Sequence, residues 1–130
     1  MRLRLKLSPI PAPRPRVTSK GWTYYPKKYK EWREAAACLI PDLLCSAGLV
    51  DPLEGPLKLS VEFAATRPKS TKLPFPKGDI DNFLKTLDCF NGLAWGDDYQ
   101  LVCIEAIKRW AEPGEPGFID LAVERLGEWV

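Results

Sequence analysis

The sequence contains no histidine. This absence excludes Ser-His-Asp and Cys-His triads, zinc bound by imidazole, and histidine-based acid–base chemistry. Any catalysis must therefore use carboxylates, Lys, Tyr, Ser, Cys or a metal ion held by oxygen ligands. No pair of cysteines has the Cys-x-x-Cys spacing, so we expect buried free thiols rather than a zinc knuckle. The cysteines are Cys38, Cys45, Cys89 and Cys103.

Long apolar runs are also missing. No stretch approaches the ~18 residues that a membrane span needs. Residues 1–6 alternate Arg or Lys with Leu instead of building the apolar segment of a signal peptide. We therefore expect a cytoplasmic protein with no membrane partner. The chain has 130 residues, 45% hydrophobic and 28% charged, and we predict that residues 1–130 form one globular domain.

Hydrophobic periodicity predicts an α+β fold, with a single mixed β-sheet and two helices. The predicted order is β-α-β-α-β-β, and the last two strands are expected to pair as a hairpin. Four prolines between residues 9 and 15 leave too few backbone donors for a regular ladder, so the segment up to Tyr25 is predicted to be a loop. The predicted elements are residues 2–7, 26–48, 57–63, 79–92, 99–109 and 119–123.

The first predicted helix has recognisable ends and an internal proline. Pro26 suits its first turn, and Gly48 suits its end. Pro41 is expected to kink or split the helix, because proline lacks the amide proton and its ring crowds the preceding turn. Helical spacing places the apolar face at Tyr29, Trp32, Ala36, Leu39 and Leu43.

Charge is distributed unevenly along the chain. Of 19 Lys and Arg residues, ten lie in residues 1–33, where Glu31 is the sole acid. The remaining residues therefore hold nine basic residues against sixteen acidic ones. A basic front and an acidic remainder are typical of a polyanion-binding protein that gathers carboxylates at one place. A basic face that is merely solvated explains the asymmetry equally well.

The most informative acidic residues lie between Asp79 and residues 97–98. Asp79 is a suitable N-cap for the second helix, which puts Asp81 in the first turn. At about 100° per residue, Asp81, Lys85 and Asp88 share a stripe opposite the apolar face. Structural roles explain each residue separately: a cap, an Asp81–Lys85 ion pair worth ~0.2–0.5 kcal/mol, and turn residues at 97–98.

A metal site is the other interpretation, and the residues alone leave both open. Two carboxylates ~4 Å apart repel by about 4 kcal/mol at an effective dielectric constant of 20, so a cluster of Asp79, Asp81 and one aspartate of the pair at 97–98 requires a cation. Oxygen ligands suit Mg²⁺ or Mn²⁺ rather than zinc. Such an ion supports phosphodiester hydrolysis, and Lys85 would position the water or stabilise the transition state. Adjacent strand residues point to opposite faces, so only one of Asp97 and Asp98 should bind directly.

These residues resemble the hallmark of the RusA family of Holliday-junction resolvases, small endonucleases common in bacteriophages and prophages. The hallmark is an Asp-x-Asp-Asn sequence that opens a helix, a Lys one turn later, and an Asp-Asp pair after a short turn containing Gly or Trp. Here these are residues 79–82, Lys85 and residues 95–100, Trp-Gly-Asp-Asp-Tyr-Gln. Their joint order is more specific than any one of them.

A second match lies upstream. Residues 13–16, Pro-Arg-Pro-Arg, and residues 22–29, Trp-Thr-Tyr-Tyr-Pro-Lys-Lys-Tyr, resemble the Arg-Pro-Arg and Tyr-x-Pro-Lys-Lys segments of the phage branch. The chain departs from the usual pattern at two positions. Asp88 follows Lys85 by three residues where relatives usually have four, and Gly78 stands where many relatives have Arg or Pro.

The resemblance implies a homodimer that binds branched double-stranded DNA, a four-way junction, and cuts two opposed strands symmetrically. It implies Mg²⁺ or Mn²⁺ as the cofactor and 5′-phosphate and 3′-hydroxyl ends as the products. Carried over by position, Asp79, Asp81 and Asp98 would be the metal ligands and catalytic carboxylates. Lys85 would be the catalytic lysine, and Asp97 a supporting residue.

Basic residues of the predicted loops carry a separate hypothesis, contact with DNA phosphates. The residues are Arg14, Arg16, Lys20, Lys27, Lys28, Lys69, Lys72 and Lys77. Trp22, Tyr24 and Tyr25 would either stack on unpaired bases or pack against the first helix, and packing is favoured slightly. The main alternative function is a non-catalytic nucleic-acid-binding module in which the acids only cap helices and turns. A nuclease that acts on flaps or RNA is another.

Overall fold

The computed structural model describes residues 1–127 and contains a four-stranded sheet, a two-stranded sheet and two α-helices. The predicted α+β class, with a mixed sheet and two helices, is confirmed. Residues 128–130 of the predicted domain lie outside the described residues. The elements are β1 (Arg2–Leu5), β2 (Arg16–Val17), β3 (Thr23–Tyr24), α1 (Lys27–Ser46), β4 (Leu57–Ala65), α2 (Ile80–Lys85), β5 (Leu101–Trp110) and β6 (Phe118–Arg125), with 3₁₀ helices over Thr86–Phe90 and Asp98–Gln100.

The strand order of the larger sheet is β1-β6-β4-β5. Strand β4 pairs in parallel with β5 and antiparallel with β6, while β1 pairs antiparallel with β6. The predicted hairpin of the last two strands is therefore wrong, because β4 lies between them. Residues 111–117 connect β5 to β6 and can extend up to about 23 Å. Because crossing one intervening strand needs only about 10 Å, this connection is long enough to pass over β4.

The main core lies between the helices and one face of this sheet. Strand β4 alternates as predicted: Leu57, Leu59 and Val61 are buried, while Lys58 and Ser60 on the other face are partly exposed. That second face carries ion pairs, including Arg4 with Asp120 at 2.7 Å, instead of a covering helix. The helical side of the sheet is thus the side on which a site can be enclosed.

Helix α1 runs unbroken through Pro41, so the expected split is wrong. Pro41 is exposed, and the buried residues on either side of it, Ile40 and Leu44, hold the helix against the core. Leu39 is also exposed, so the predicted apolar face is wrong at that residue, whereas Leu43 is partly buried and packs against the core. The buried residues are Tyr29, Trp32, Ala36, Ile40 and Leu44. Neither helix of residues 1–127 combines the length and apolar character that crossing a bilayer requires.

The segment predicted as a loop contains a small hairpin. Strands β2 and β3 pair through Arg16 with Tyr24 and Val17 with Thr23. Residues 16–24 contain no proline, so the backbone donors missing from the preceding segment are present here. Gly21, with φ +81°, closes the turn by donating its amide to the Thr18 carbonyl at 2.9 Å.

The second predicted helix exists but changes type midway. It is α-helical over Ile80–Lys85 and 3₁₀ over Thr86–Phe90. The buried Thr86 hydroxyl donates to the Phe83 carbonyl at 2.6 Å, a local bond of the kind that competes with regular α-helical hydrogen bonding. The tighter second half places three residues in each turn.

The cysteines are free, as expected, but they are not all buried. Cys38 and Cys45 are exposed on α1, and Cys89 and Cys103 are partly buried. Cys38 lies two positions after buried Ala36, and Cys45 one after buried Leu44, so both fall away from the apolar face of the helix. Burial raises the pKa of Cys89 to about 12.

Candidate active site

A cavity of about 460 Å³ lies where the start of α2, the turn before β5 and the proline-rich segment meet. Most of its lining is polar and comes from the residues in which the sequence analysis placed the chemistry. The lining residues are Ala12, Pro13, Arg14, Pro15, Tyr25, Tyr29, Asp79, Asp81, Asn82, Lys85, Asp88 and Asp98. The cavity therefore brings together all of the predicted catalytic residues, Asp79, Asp81, Lys85 and Asp98.

The start of α2 is fixed by contacts from two other segments. The Ala12 amide donates to the Asn82 carbonyl at 2.8 Å, which joins the proline-rich segment to the helix. Lys108 of β5 donates to the Gly78 and Pro76 carbonyls. Gly78 has φ +113°, and a Cβ there would lie 3.0 Å from the Pro11 ring. Glycine thus satisfies both the backbone angle and the close contact at this position.

The acidic side chains at the helix start are free to face the cavity. Asp79 occupies the N-cap position, as predicted, but its side chain makes no capping hydrogen bond. Asp81 lies in the first turn. Lys85 does not form the predicted ion pair with Asp81 in the described part of the chain; its Nζ donates to Asn82 Oδ1 at 3.3 Å. The purely structural roles of a cap and an ion pair therefore do not account for these side chains.

Asp97 and Asp98, in the turn before β5, make different contacts. Asp97 caps the short 3₁₀ helix, because its Oδ1 accepts from the Asp98 amide at 2.8 Å. Asp98 lines the cavity instead. The prediction assumed that the pair lies in a strand, which is wrong, because β5 begins only at Leu101. Direct binding of a metal ion by only one aspartate of the pair stays a prediction.

Gln100 holds this turn from inside. Its side chain is buried, with Oε1 accepting from the Gly96 and Asp97 amides and Nε2 donating to the Leu53 and Gly55 carbonyls. The four bonds tie the turn that presents Asp98 to the loop before β4. The sequence analysis quoted Gln100 only as part of a motif and missed this role. A lone polar residue directly before an apolar strand was the available signal.

Neighbouring carboxylates affect the titration of Asp98. Hydrogen bonding with the Asp97 side chain, followed by desolvation and the Asp97 charge, raises the pKa of Asp98. Asp88 contributes in the same direction, which places it within electrostatic range. A like-charged neighbourhood of this kind favours a bound cation.

Asp88 lines the cavity but is already paired. Arg33 of α1 contacts Asp88 Oδ1 through its Nη1 at 2.6 Å, and its guanidinium lies 5.8 Å from the Tyr29 ring centroid. Burial lowers the pKa of Arg33, but hydrogen bonds to Asp88 and Tyr29 outweigh it and the net pKa is raised. Arg33 was not identified from the sequence, although it follows Tyr29 by one helical turn. Its charge leaves Asp88 less available to a metal than the other acids.

The three predicted metal ligands line one cavity but do not form an assembled metal-binding group. Across residues 1–127, no three carboxylates or thiols lie close enough together to form a ready metal-binding group. Asp81, Lys85, Asp88 and Asp98 also border an adjacent cavity of about 340 Å³. The acidic side chains thus lie in one region of the surface, but their carboxylate oxygens are too far apart to bind one metal ion together.

The predicted DNA-contacting residues are exposed, but only Arg14 lines the cavity. Lys27 forms a long ion pair with Glu31 at 3.9 Å. The favoured expectation that the aromatic residues pack against the first helix is wrong for Trp22, which is 73% exposed, and for Tyr24, which is 43% exposed. It is confirmed for Tyr25, whose ring lies edge-on to the ring of Tyr29 in α1 with centroids 5.1 Å apart. The basic residues outside the cavity are Arg16, Lys20, Lys27, Lys28, Lys69, Lys72 and Lys77.

The chain is similar to a family of known proteins. No curated protein matches the chain significantly. The family model of endodeoxyribonuclease RusA matches residues 6–117, which is most of the chain and includes every predicted catalytic residue. This family comprises nucleases that resolve Holliday junctions. The chain belongs to the RusA endodeoxyribonuclease family.

Proposed function

We propose that this chain is a metal-dependent endonuclease that resolves four-way DNA junctions by symmetric phosphodiester hydrolysis. The observation that carries the proposal is the single cavity that gathers Asp79, Asp81, Asp98 and Lys85 from separate parts of the chain. Family membership supports action on branched DNA, and the cavity supplies residues suited to the chemistry.

Asp79, Asp81 and Asp98 are the residues that we propose to hold Mg²⁺, with Mn²⁺ as a substitute. All of their donors are carboxylate oxygens, which these hard cations prefer. The three side chains do not yet form a ready metal-binding group, so binding requires them to converge. When bound, the cation supplies a Lewis acid beside the scissile phosphate and neutralises charge there.

The remaining side chains act on the DNA itself. Lys85 is held by Asn82 at 3.3 Å and is exposed, so its ammonium can donate to a phosphate oxygen and stabilise the charge that grows in the transition state. Arg14, which also lines the cavity, offers a second cation to the same strand. Asp88, neutralised by Arg33, adds little repulsion toward the phosphate.

Cutting two opposed strands needs two such cavities, and each chain supplies one. We therefore propose a homodimer as the active form, with the exposed basic residues outside the cavity contacting the junction arms. These contacts are of the phosphate type, so junction affinity should fall as the salt concentration rises.

The test uses a labelled immobile four-way junction, with and without Mg²⁺. The wild-type protein should make paired symmetric cuts. Asp81→Asn should lower the cleavage rate by at least about 100-fold while binding persists, because one ligand charge is lost and the basic surface is not. Asp42→Asn, which alters an exposed aspartate on α1 outside the cavity, serves as the matched control and should cut normally.

Three outcomes would contradict the proposal. Binding without cutting at any Mg²⁺ or Mn²⁺ concentration indicates a non-catalytic nucleic-acid-binding module. Preferential cutting of flaps or RNA in a competition assay indicates a different nuclease. A protein that stays monomeric at concentrations where paired cuts occur would contradict the proposed homodimer.

A further inference from the structure

The β2–β3 hairpin carries an exposed tryptophan that the proposed chemistry does not use. Every residue from Arg14 to Tyr24 is exposed, and the side chain of Trp22 is 73% exposed. Trp32 and Trp95, by contrast, are almost completely buried. A large aromatic side chain exposed on a short hairpin offers a ring face on which a partner can stack.

The hairpin holds this tryptophan in a defined place. The Thr18 amide donates to the Trp22 carbonyl at 2.8 Å, and the Trp22 amide donates to Thr18 Oγ1 at 3.1 Å. The Arg16–Tyr24 pairing closes the hairpin behind this turn. Because the backbone around Trp22 is already ordered, a partner that stacks on the indole pays less entropy than it would on a flexible loop.

The surroundings of Trp22 select a polyanion. Arg14, Arg16 and Lys20 lie on the same segment, and no acidic residue precedes Glu31 in the chain. An exposed aromatic face on a segment whose charged residues are all basic suits single-stranded nucleic acid, whose bases stack on the ring while its phosphates contact the cations. It suits a linear duplex less well, because the bases there are stacked on one another.

The hairpin also begins and ends at the wall of the active-site cavity. Pro15, just before β2, and Tyr25, just after β3, both line that cavity. Trp22 precedes Tyr25 by three residues, so their Cα atoms are at most about 11 Å apart. This distance corresponds to roughly three base steps of 3.4 Å along one strand.

We propose that Trp22 is a stacking platform for an unpaired nucleobase, a few nucleotides from the phosphate held in the cavity. Arg16 and Lys20 contact the phosphates that flank this base. The platform would bind bases exposed where strands exchange at a junction and so favour branched over linear DNA. The inference rests on the proposed function in one respect, that the cavity holds a DNA strand.

The test measures binding separately from cutting. In an Asp81→Asn background, the affinities of Trp22→Ala, Trp22→Phe and Val17→Ala are compared on a four-way junction and on a linear duplex of equal length. Val17 is the matched control, because it is an exposed apolar residue of the same hairpin with no aromatic face. Trp22→Ala should weaken junction binding by roughly 5- to 150-fold, the range for loss of one stacked base, and duplex binding by less than about 2-fold.

Two further results complete the expected pattern. Trp22→Phe should retain most of the junction affinity, and Val17→Ala should match the parent. A 2-aminopurine placed at the crossover should change fluorescence on binding to the parent but not to Trp22→Ala. Equal junction affinity for Trp22→Ala and Val17→Ala, or an equal loss on junction and duplex, would overturn the platform. Because these assays need no cleavage, a protein that fails to cut DNA can still pass them.

Discussion

Replacing Gln100 with leucine should damage both the fold and the site, because one buried side chain holds the turn that presents Asp98. Gln100 Oε1 accepts from the Gly96 amide at 2.8 Å and the Asp97 amide at 3.1 Å. Its Nε2 donates to the Leu53 carbonyl at 2.9 Å and the Gly55 carbonyl at 3.0 Å. Leucine has a similar volume but makes none of these bonds.

The size of the effect follows from how these bonds are buried. Four hydrogen bonds at about 1 kcal/mol each give a central value near 4 kcal/mol. The bond to Leu53 is fully buried, whereas the other three are partly buried and their partners can recover some hydrogen bonding to water. We therefore expect a loss of about 2–3 kcal/mol in the free energy of unfolding, or roughly 8–12 °C in Tm.

The assay is urea denaturation followed by tryptophan fluorescence, with Tyr99→Ala as the control. Tyr99 lies in the same turn but is 80% exposed, so its loss should change stability by less than about 0.5 kcal/mol. Gln100→Glu keeps the acceptor and loses both donors, so it should also be clearly destabilised. Junction cleavage by folded Gln100→Leu should fall because the Asp98 turn is no longer held. An unchanged unfolding midpoint together with unchanged cleavage would refute the reasoning.

Two further predictions concern titration and thiol reactivity. Asp97→Asn should lower the pKa of Asp98, because the neighbouring carboxyl that raises this pKa is removed. The acid limb of the profile of cleavage rate against pH, measured at fixed Mg²⁺, should therefore move to lower pH. An acid limb that does not move would contradict this prediction. In the native protein, N-ethylmaleimide should modify the exposed thiols of Cys38 and Cys45 well before that of Cys89, because burial raises the pKa of Cys89 to about 12. Peptide mapping that finds Cys89 modified as fast as Cys45 would contradict this prediction.

Local patterns were sufficient for the elements that carry the site. The alternation of β4 and the 79–92 helical period placed the strand and the helix start correctly, because both depend on neighbouring residues. The same period put Asp81, Lys85 and Asp88 on one stripe, and these residues line one cavity. The approach of Asp98 to that stripe depends on tertiary structure and was a hypothesis until the fold was known.

What local pattern could not supply was pairing over long distances. A hairpin was the simplest connection between the last two strands. In the structure β4 lies between them and pairs with β5 along one edge and with β6 along the other. Pro41 was expected to interrupt α1, yet the packing of Ile40 and Leu44 outweighs that local cost. Arg33 reaches Asp88 across 55 positions of sequence, and no local period indicates such a contact.

The position of β6 has a consequence for how the chain acquires its structure during synthesis. Strand β6 lies between β1 and β4, so the earliest strand has no neighbour until Phe118–Arg125 emerges from the ribosome. Until β6 is synthesised, the hydrogen-bonding edges of β1 and β4 that pair with it therefore stay unpaired. Contacts between distant parts of a sequence form slowly, and open edges attract other chains. Shielding by a chaperone during translation should increase the yield of folded protein more than shielding applied after release.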